Sequence, residues 1–154
     1  METYEPSLIE NYEEVMEAAA RGDWSAQMRM VDHVMARANA GYVPRSVALG
    51  AAEVFATLAS LSGDIMARRK LAGVLMMQAG NMLDHGFGSM SRLYQVEAVA
   101  MMSGLADDGD EEAGALLAEH AGAFSPDILK LADELARSVA AATDGDTPTN
   151  DTIH

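Results

Sequence analysis

The sequence predicts an all-α fold of about seven helices, paired as antiparallel hairpins and either stacked as a short α-solenoid or packed as a compact bundle. Three observations predict it. The dipeptide Gly-Asp recurs at 22–23, 63–64 and 109–110, each time between two stretches of helical character. Ala, Leu, Met and Val dominate, whereas aromatic residues number one Trp, four Tyr and three Phe; Ala, Leu and Met are among the strongest helix formers. Apolar positions recur at three- and four-residue spacing through most of the chain. At 154 residues this is one domain, expected over 7–142 and long enough to bury a sizeable core.

The first helix is expected over 7–21. Leu8, Ile9, Tyr12, Val15, Met16 and Ala19 share one side, and Glu10, Glu13, Glu14 and Glu17 take the other. Ser7 and Glu10 have capping-box spacing. Gly22 supplies a left-handed stop and Asp23 a cap for the next helix. That second helix runs to about Ala40, with Trp24, Met28, Val31, Met35 and Ala38 on one stripe and Gly41 at its end. Pro44 suits the first turn of a third helix reaching about Ser62, whose inner face is read as Val47, Val54, Phe55, Leu58 and Leu61. Gly63-Asp64 opens a fourth helix ending near His85. Gly86-Phe87-Gly88 is a turn, and Ser89 can cap a fifth helix to about Ala106.

Gly109-Asp110 precedes a sixth helix to about Ala121. Ser125-Pro126-Asp127 is a strong start for a seventh, to about Ala142. Ile128, Leu131, Leu135 and Val139 are read as inward there, and Lys130, Asp133, Glu134 and Arg137 as outward. Residues 143–154 are polar and aperiodic and are expected to form a flexible tail.

The Gly-Asp copies agree beyond the dipeptide. Four residues after each glycine stands alanine (Ala26, Ala67, Ala113), and eight after stands Met30, Leu71 or Leu117. Small residues let paired helices approach, and the larger one fills the gap between hairpins, as in a stack where each unit buries its face against the next. The run Ala19-Ala20-Arg21-Gly22 with Ala26-Gln27 and Met30, and the Gly86-Phe87-Gly88 loop, resemble tetratricopeptide-like repeats, most nearly the Sel-one-like kind. The resemblance spans roughly 8–122 in three imperfect copies, with glycines 41 and 46 residues apart, longer than a tetratricopeptide unit. It implies a scaffold that binds a peptide or protein on its inner surface, without catalytic residues.

Charge narrows the partners. A formal net charge of −14 repels phosphate backbones and anionic lipids, so neither nucleic acid nor membrane is expected. The apolar run beginning at Leu71 is too short and interrupted to span a bilayer. The acidic N-terminus lacks the basic and apolar regions of a signal peptide, and a cytoplasmic protein is expected. With no cysteine, no disulfide or thiolate metal site can form. The one basic run, Arg68-Arg69-Lys70, is read as a solvated helix face.

Chemistry-bearing residues are few. His33, His85 and His120 each follow an acid, but adjacent residues on a helix point about 100° apart and cannot chelate as a pair. The acidic run Asp107 to Glu112 lacks the alternating ligands of a calcium loop and suits a helix N-terminus. No cofactor and no metal are expected. Twelve methionines stand out, because flexible, polarisable Met suits surfaces that accept varied apolar partners. The expected function is therefore a non-catalytic module binding a basic or apolar protein segment in a Met- and Ala-lined groove with an acidic rim. Candidate partner-binding residues are Trp24, Met28, Met30, Met35, Met76 and Met77. The alternatives are a structural homo-oligomer and, less favoured, a small helical metal protein or enzyme using His33 and His120.

Overall fold

A computed structural model describes residues 9–145. Among these the fold is all-α, with no strand and seven helices: α1 (Tyr12–Ala20), α2 (Trp24–Asn39), α3 (Arg45–Ser60), α4 (Ile65–Asp84), α5 (Gly88–Asp107), α6 (Glu111–His120) and α7 (Pro126–Gly145). A short 3₁₀ turn, Ala121–Ala123, joins the last two. Consecutive helices pack antiparallel from α1 to α6, whereas α7 turns back onto α5.

The Gly-Asp dipeptides work as local chemistry requires. Gly22, Gly63 and Gly109 have φ of 95°, 79° and 97°, the left-handed region that other residues avoid. After Gly22 and Gly109 the next N–H reaches back to a free carbonyl, Asp23 to Ala18 at 3.0 Å and Asp110 to Leu105 at 2.9 Å. Each aspartate then caps the following helix. Asp23 Oδ1 accepts from the N–H groups of Ser25 and Ala26, Asp64 Oδ1 from those of Met66 and Ala67, and Asp110 Oδ1 from that of Glu112. The alanine at plus four is buried in all three copies.

Three apolar clusters fill the interior. The largest joins Val31 of α2, Ala52 and Ala56 of α3, Leu71, Val74 and Leu75 of α4, and Ala98 of α5. Val15, Ala19, Ala26 and Met30 close the α1–α2 hairpin, and Val99, Ala100, Ile128 and Ala132 hold α7 on α5. Glu53 adds a polar tie inside α3–α4–α5, accepting from Gln78 Nε2 at 2.8 Å and from the Tyr94 hydroxyl at 3.0 Å. Burial and that bond to Glu53 raise the Tyr94 phenol above its ordinary value.

Five expectations are corrected. Helix α1 begins at Tyr12, not at residue 7, because the Ile9 N–H is taken by His33 Nδ1 at 3.3 Å and the chain enters as a turn; Ser7 and Leu8 lie outside the described residues. Pro44 occupies the N-cap position of α3 rather than its first turn, and Phe87 rather than Ser89 occupies that of α5. The inner face of α3 is Ala48, Leu49, Ala52, Ala56 and Ala59, whereas Val47 is 62% and Leu61 78% exposed, with Val54 and Leu58 beside them. Wedged between α2 and α4, α3 can approach closely only on its small-residue side, which turns the larger residues outward. On α7, Ile128 and Ala132 are buried while Leu131, Leu135 and Val139 are exposed, again because alanine makes the closest contact. That helix also continues past Ala142 to Gly145, so the expected tail is helical over its first three residues; 146–154 fall outside the described residues.

Candidate functional site

Because α3 is antiparallel to both neighbours, α2 and α4 run parallel and leave an open furrow between them. Lys70 Nζ donates to Asp32 Oδ1 at 2.6 Å across it, fixing a register of 38 residues. The same offset relates Met28 to Met66, Met35 to Gly73 and Asn39 to Met77, and all six line the furrow. The spacing of four, three and four residues on each helix is one helical face. Val31 and Val74 form the floor, Arg45 and Arg69 stand at the edge, and the space is about 660 Å³. The furrow is open: α7 packs against α5 and leaves it unfilled.

A second cavity of about 600 Å³ lies on the other side of α4, against α5, α6 and the 3₁₀ turn. Ala72, Met76, Ala98, Val99, Met102, Leu116, Leu117 and Phe124 give it an apolar lining, with Arg69, Gln95, Glu112 and His120 as its polar groups. Arg69 and Gly73 belong to both cavities.

The basic run is a fastener. Three consecutive helical residues point in three directions, and each finds a different acid. Arg68 Nη1 donates to Asp108 at 3.0 Å, Arg69 grips both Asp110 oxygens at 2.6 Å and meets Glu112 at 2.7 Å, and Lys70 takes Asp32. Asp110 is the most enclosed of these acids, its side chain 2% exposed. The bidentate Arg69 bond holds its carboxyl below the ordinary value, helped by the backbone N–H groups of Glu112 and Ala113, and holds the Arg69 guanidinium above its own. The acidic run 107–112 is thus largely a set of ion-pair and cap partners.

Of the six residues singled out from the sequence, Met28, Met35 and Met77 come together in the furrow. Met76 points into the second cavity. Met30 is 1% exposed and belongs to the α1–α2 core, and the half-buried Trp24 lines neither space. Asp32, Asn39, Arg45, Met66 and Gly73 were missed. Only the four-three-four spacing from Met28 and Met66 could have found those on α2 and α4, and nothing in the sequence pointed to Arg45.

The histidines do not converge. His33 is buried beside Tyr12, Arg37 and Tyr42 in a third, smaller hollow, whereas His120 edges the second cavity. Burial, with Arg37 nearby, lowers the His33 pKa from its ordinary value, which suits an Nδ1 that accepts from Ile9. Among the described residues no group of three or more His, Asp or Glu could hold a metal ion, and no helix is long and apolar enough to cross a membrane.

Sequential helical hairpins with a methionine-lined furrow describe an architecture, and fold alone does not name an activity. The chain matches no protein family, no curated protein and no solved structure.

Proposed function

We propose that this protein is a non-catalytic interaction module that holds a segment of another protein in the α2–α4 furrow. The observation that carries the reading is the furrow itself, where Met28, Met35, Met66 and Met77 from two parallel helices face one open space. Flexible thioethers can repack around different apolar side chains, and the Val31–Val74 floor gives them a fixed base. Such use of an inner surface is what the likeness to tetratricopeptide-like repeats would imply, in a cytoplasmic setting. With methionine methyls labelled, a binding partner should shift Met28, Met35, Met66 and Met77 and leave buried Met30 largely unmoved. Met28→Lys together with Met77→Lys should abolish capture of that partner while the far-ultraviolet circular dichroism stays helical. Capture that survives both substitutions would refute the furrow as the site.

A homo-oligomer is the second reading, and the exposed Val47, Val54 and Leu58 on α3, with Leu61 at its C-cap, favour it. Light scattering distinguishes the two. A dimer dissociated by Leu58→Glu and Leu61→Glu, with the furrow methyls unchanged, would support assembly through α3.

A further inference from the structure

Two residues along the furrow work against the helices that carry them. Gly73 stands in the middle of the twenty-residue α4, where glycine is a poor choice because it leaves the backbone loose. Nothing in the fold demands it. Its φ is not left-handed, and a Cβ built there would meet no atom within 4 Å. Arg45 is the first residue of α3, where the helix dipole disfavours a cation. It forms no ion pair with any carboxylate among the described residues. Both line the same space, and local rules broken together at one surface mark a site used by something else.

The charges give that partner a sign. Arg45, Arg69 and Lys70 stand along the furrow with Asp32, in a chain of net charge −14. Lys70 is neutralised by Asp32, and Arg69 by Asp110 and Glu112. Among the described residues Arg45 remains uncompensated. At physiological salt, charges beyond about 8 Å are screened, so this near cation outweighs the distant acidic surface. Eleven residues separate Met28 from Asn39, about 17 Å of helix, or three turns.

We infer that the furrow takes an amphipathic helix of a partner protein, crossing α4 closely at Gly73, with apolar side chains among the methionines and a carboxylate on Arg45. This rests on the interaction-module reading and replaces the basic segment that net charge alone suggested. A bare Gly73 lets a second backbone approach, as small residues do wherever helices pack tightly, and helix-in-groove binding uses apolar side chains at this spacing.

The test uses two synthetic fifteen-residue helical peptides with one identical Leu stripe, flanked by Glu in the first and Lys in the second, titrated at about 0.15 M salt. The Glu peptide should bind about tenfold tighter than the Lys peptide, shifting the methyls of Met28, Met35 and Met77. Arg45→Glu, which also suits the start of α3, should invert that order. Gly73→Leu should weaken the Glu peptide about tenfold or more while the thermal midpoint holds or rises. Equal or tighter binding of the Lys peptide, with the same methyls shifting, overturns the acidic-helix inference and leaves the module reading standing. So does Glu-peptide binding indifferent to Arg45→Glu. If neither peptide moves the furrow methyls, the module reading falls and this inference with it. A second copy seated in the furrow, seen as a dimer broken by Gly73→Leu, overturns the inference as well.

Discussion

The α1–α2 and α5–α6 hairpins share the same turn and are fastened by different forces. At Gly22-Asp23 the aspartate is exposed and caps α2 only, and the hairpin is closed by Val15, Ala19, Ala26 and Met30. Gln27 adds a bond from Nε2 to the Ala19 carbonyl at 3.0 Å, and His33 holds Ile9. At Gly109-Asp110 the aspartate is buried and serves two ends at once, capping α6 and accepting Arg69 from α4. One dipeptide is therefore a local stop signal in the first place and a tertiary joint in the third. The motif sets the backbone, and residues some forty positions away decide what else it carries.

The comparison is broken most severely through the apolar core of the first hairpin. Met30→Ala should cost about 2–5 kcal/mol, because a buried methionine leaves both lost burial and a cavity. Chemical denaturation should show it, and a loss below 1 kcal/mol would mean that the α1–α2 contact matters little. Next come the two caps. Asp23→Ala removes an exposed cap and should cost about 1 kcal/mol. Asp110→Ala should cost more, since it also leaves Arg69 without its bidentate partner. Equal midpoints for the two variants would contradict the distinction between a local and a tertiary aspartate. Gly73→Ala runs the other way. With open space for the methyl group, it should stabilise α4 by about 0.5–1 kcal/mol.

Short-range chemistry was legible in the sequence, and long-range pairing was not. Gly22, Gly63 and Gly109 announce their turns, and the aspartates after them announce caps, because both act within four residues. The inner faces of α3 and α7 differ from the expected ones for one reason: side-chain size does not decide burial. Where helices approach closely, Ala52, Ala56 and Ala132 go inside and Val54, Leu58 and Leu135 stay out. The partners of Arg68, Arg69 and Lys70 lie 38 to 43 residues away in sequence, beyond any spacing argument. Met28 and Met30 show the same limit inside the site. Two positions apart, they point about 200° apart on one helix, and only the place where α1 docks decides which is core and which is furrow.

The smallest effect separates the two hairpins by pH. Asp110 has a lowered pKa in the fold, so its stabilisation is complete above the ordinary value of 3.8 and is lost as pH falls through the lowered one. His33 also has a lowered pKa, and its neutral form is the one that accepts the Ile9 N–H. Its contribution is therefore complete above 6.5 and is lost as pH falls through the folded value, a window that opens well before that of Asp110. As pH falls below 6.5 and through the folded His33 value, the first hairpin should loosen while the Arg69–Asp110 joint stays intact. The hydrogen bond at stake is worth about 1 kcal/mol, so the readout is local: lower protection of the Ile9 amide relative to its intrinsic exchange rate at each pH, with the protection of the α6 amides unchanged. His33→Gln should remove that pH dependence. A parallel fall in protection in both hairpins, or a slope that survives the substitution, would show that the two ends of the molecule are not separately fastened.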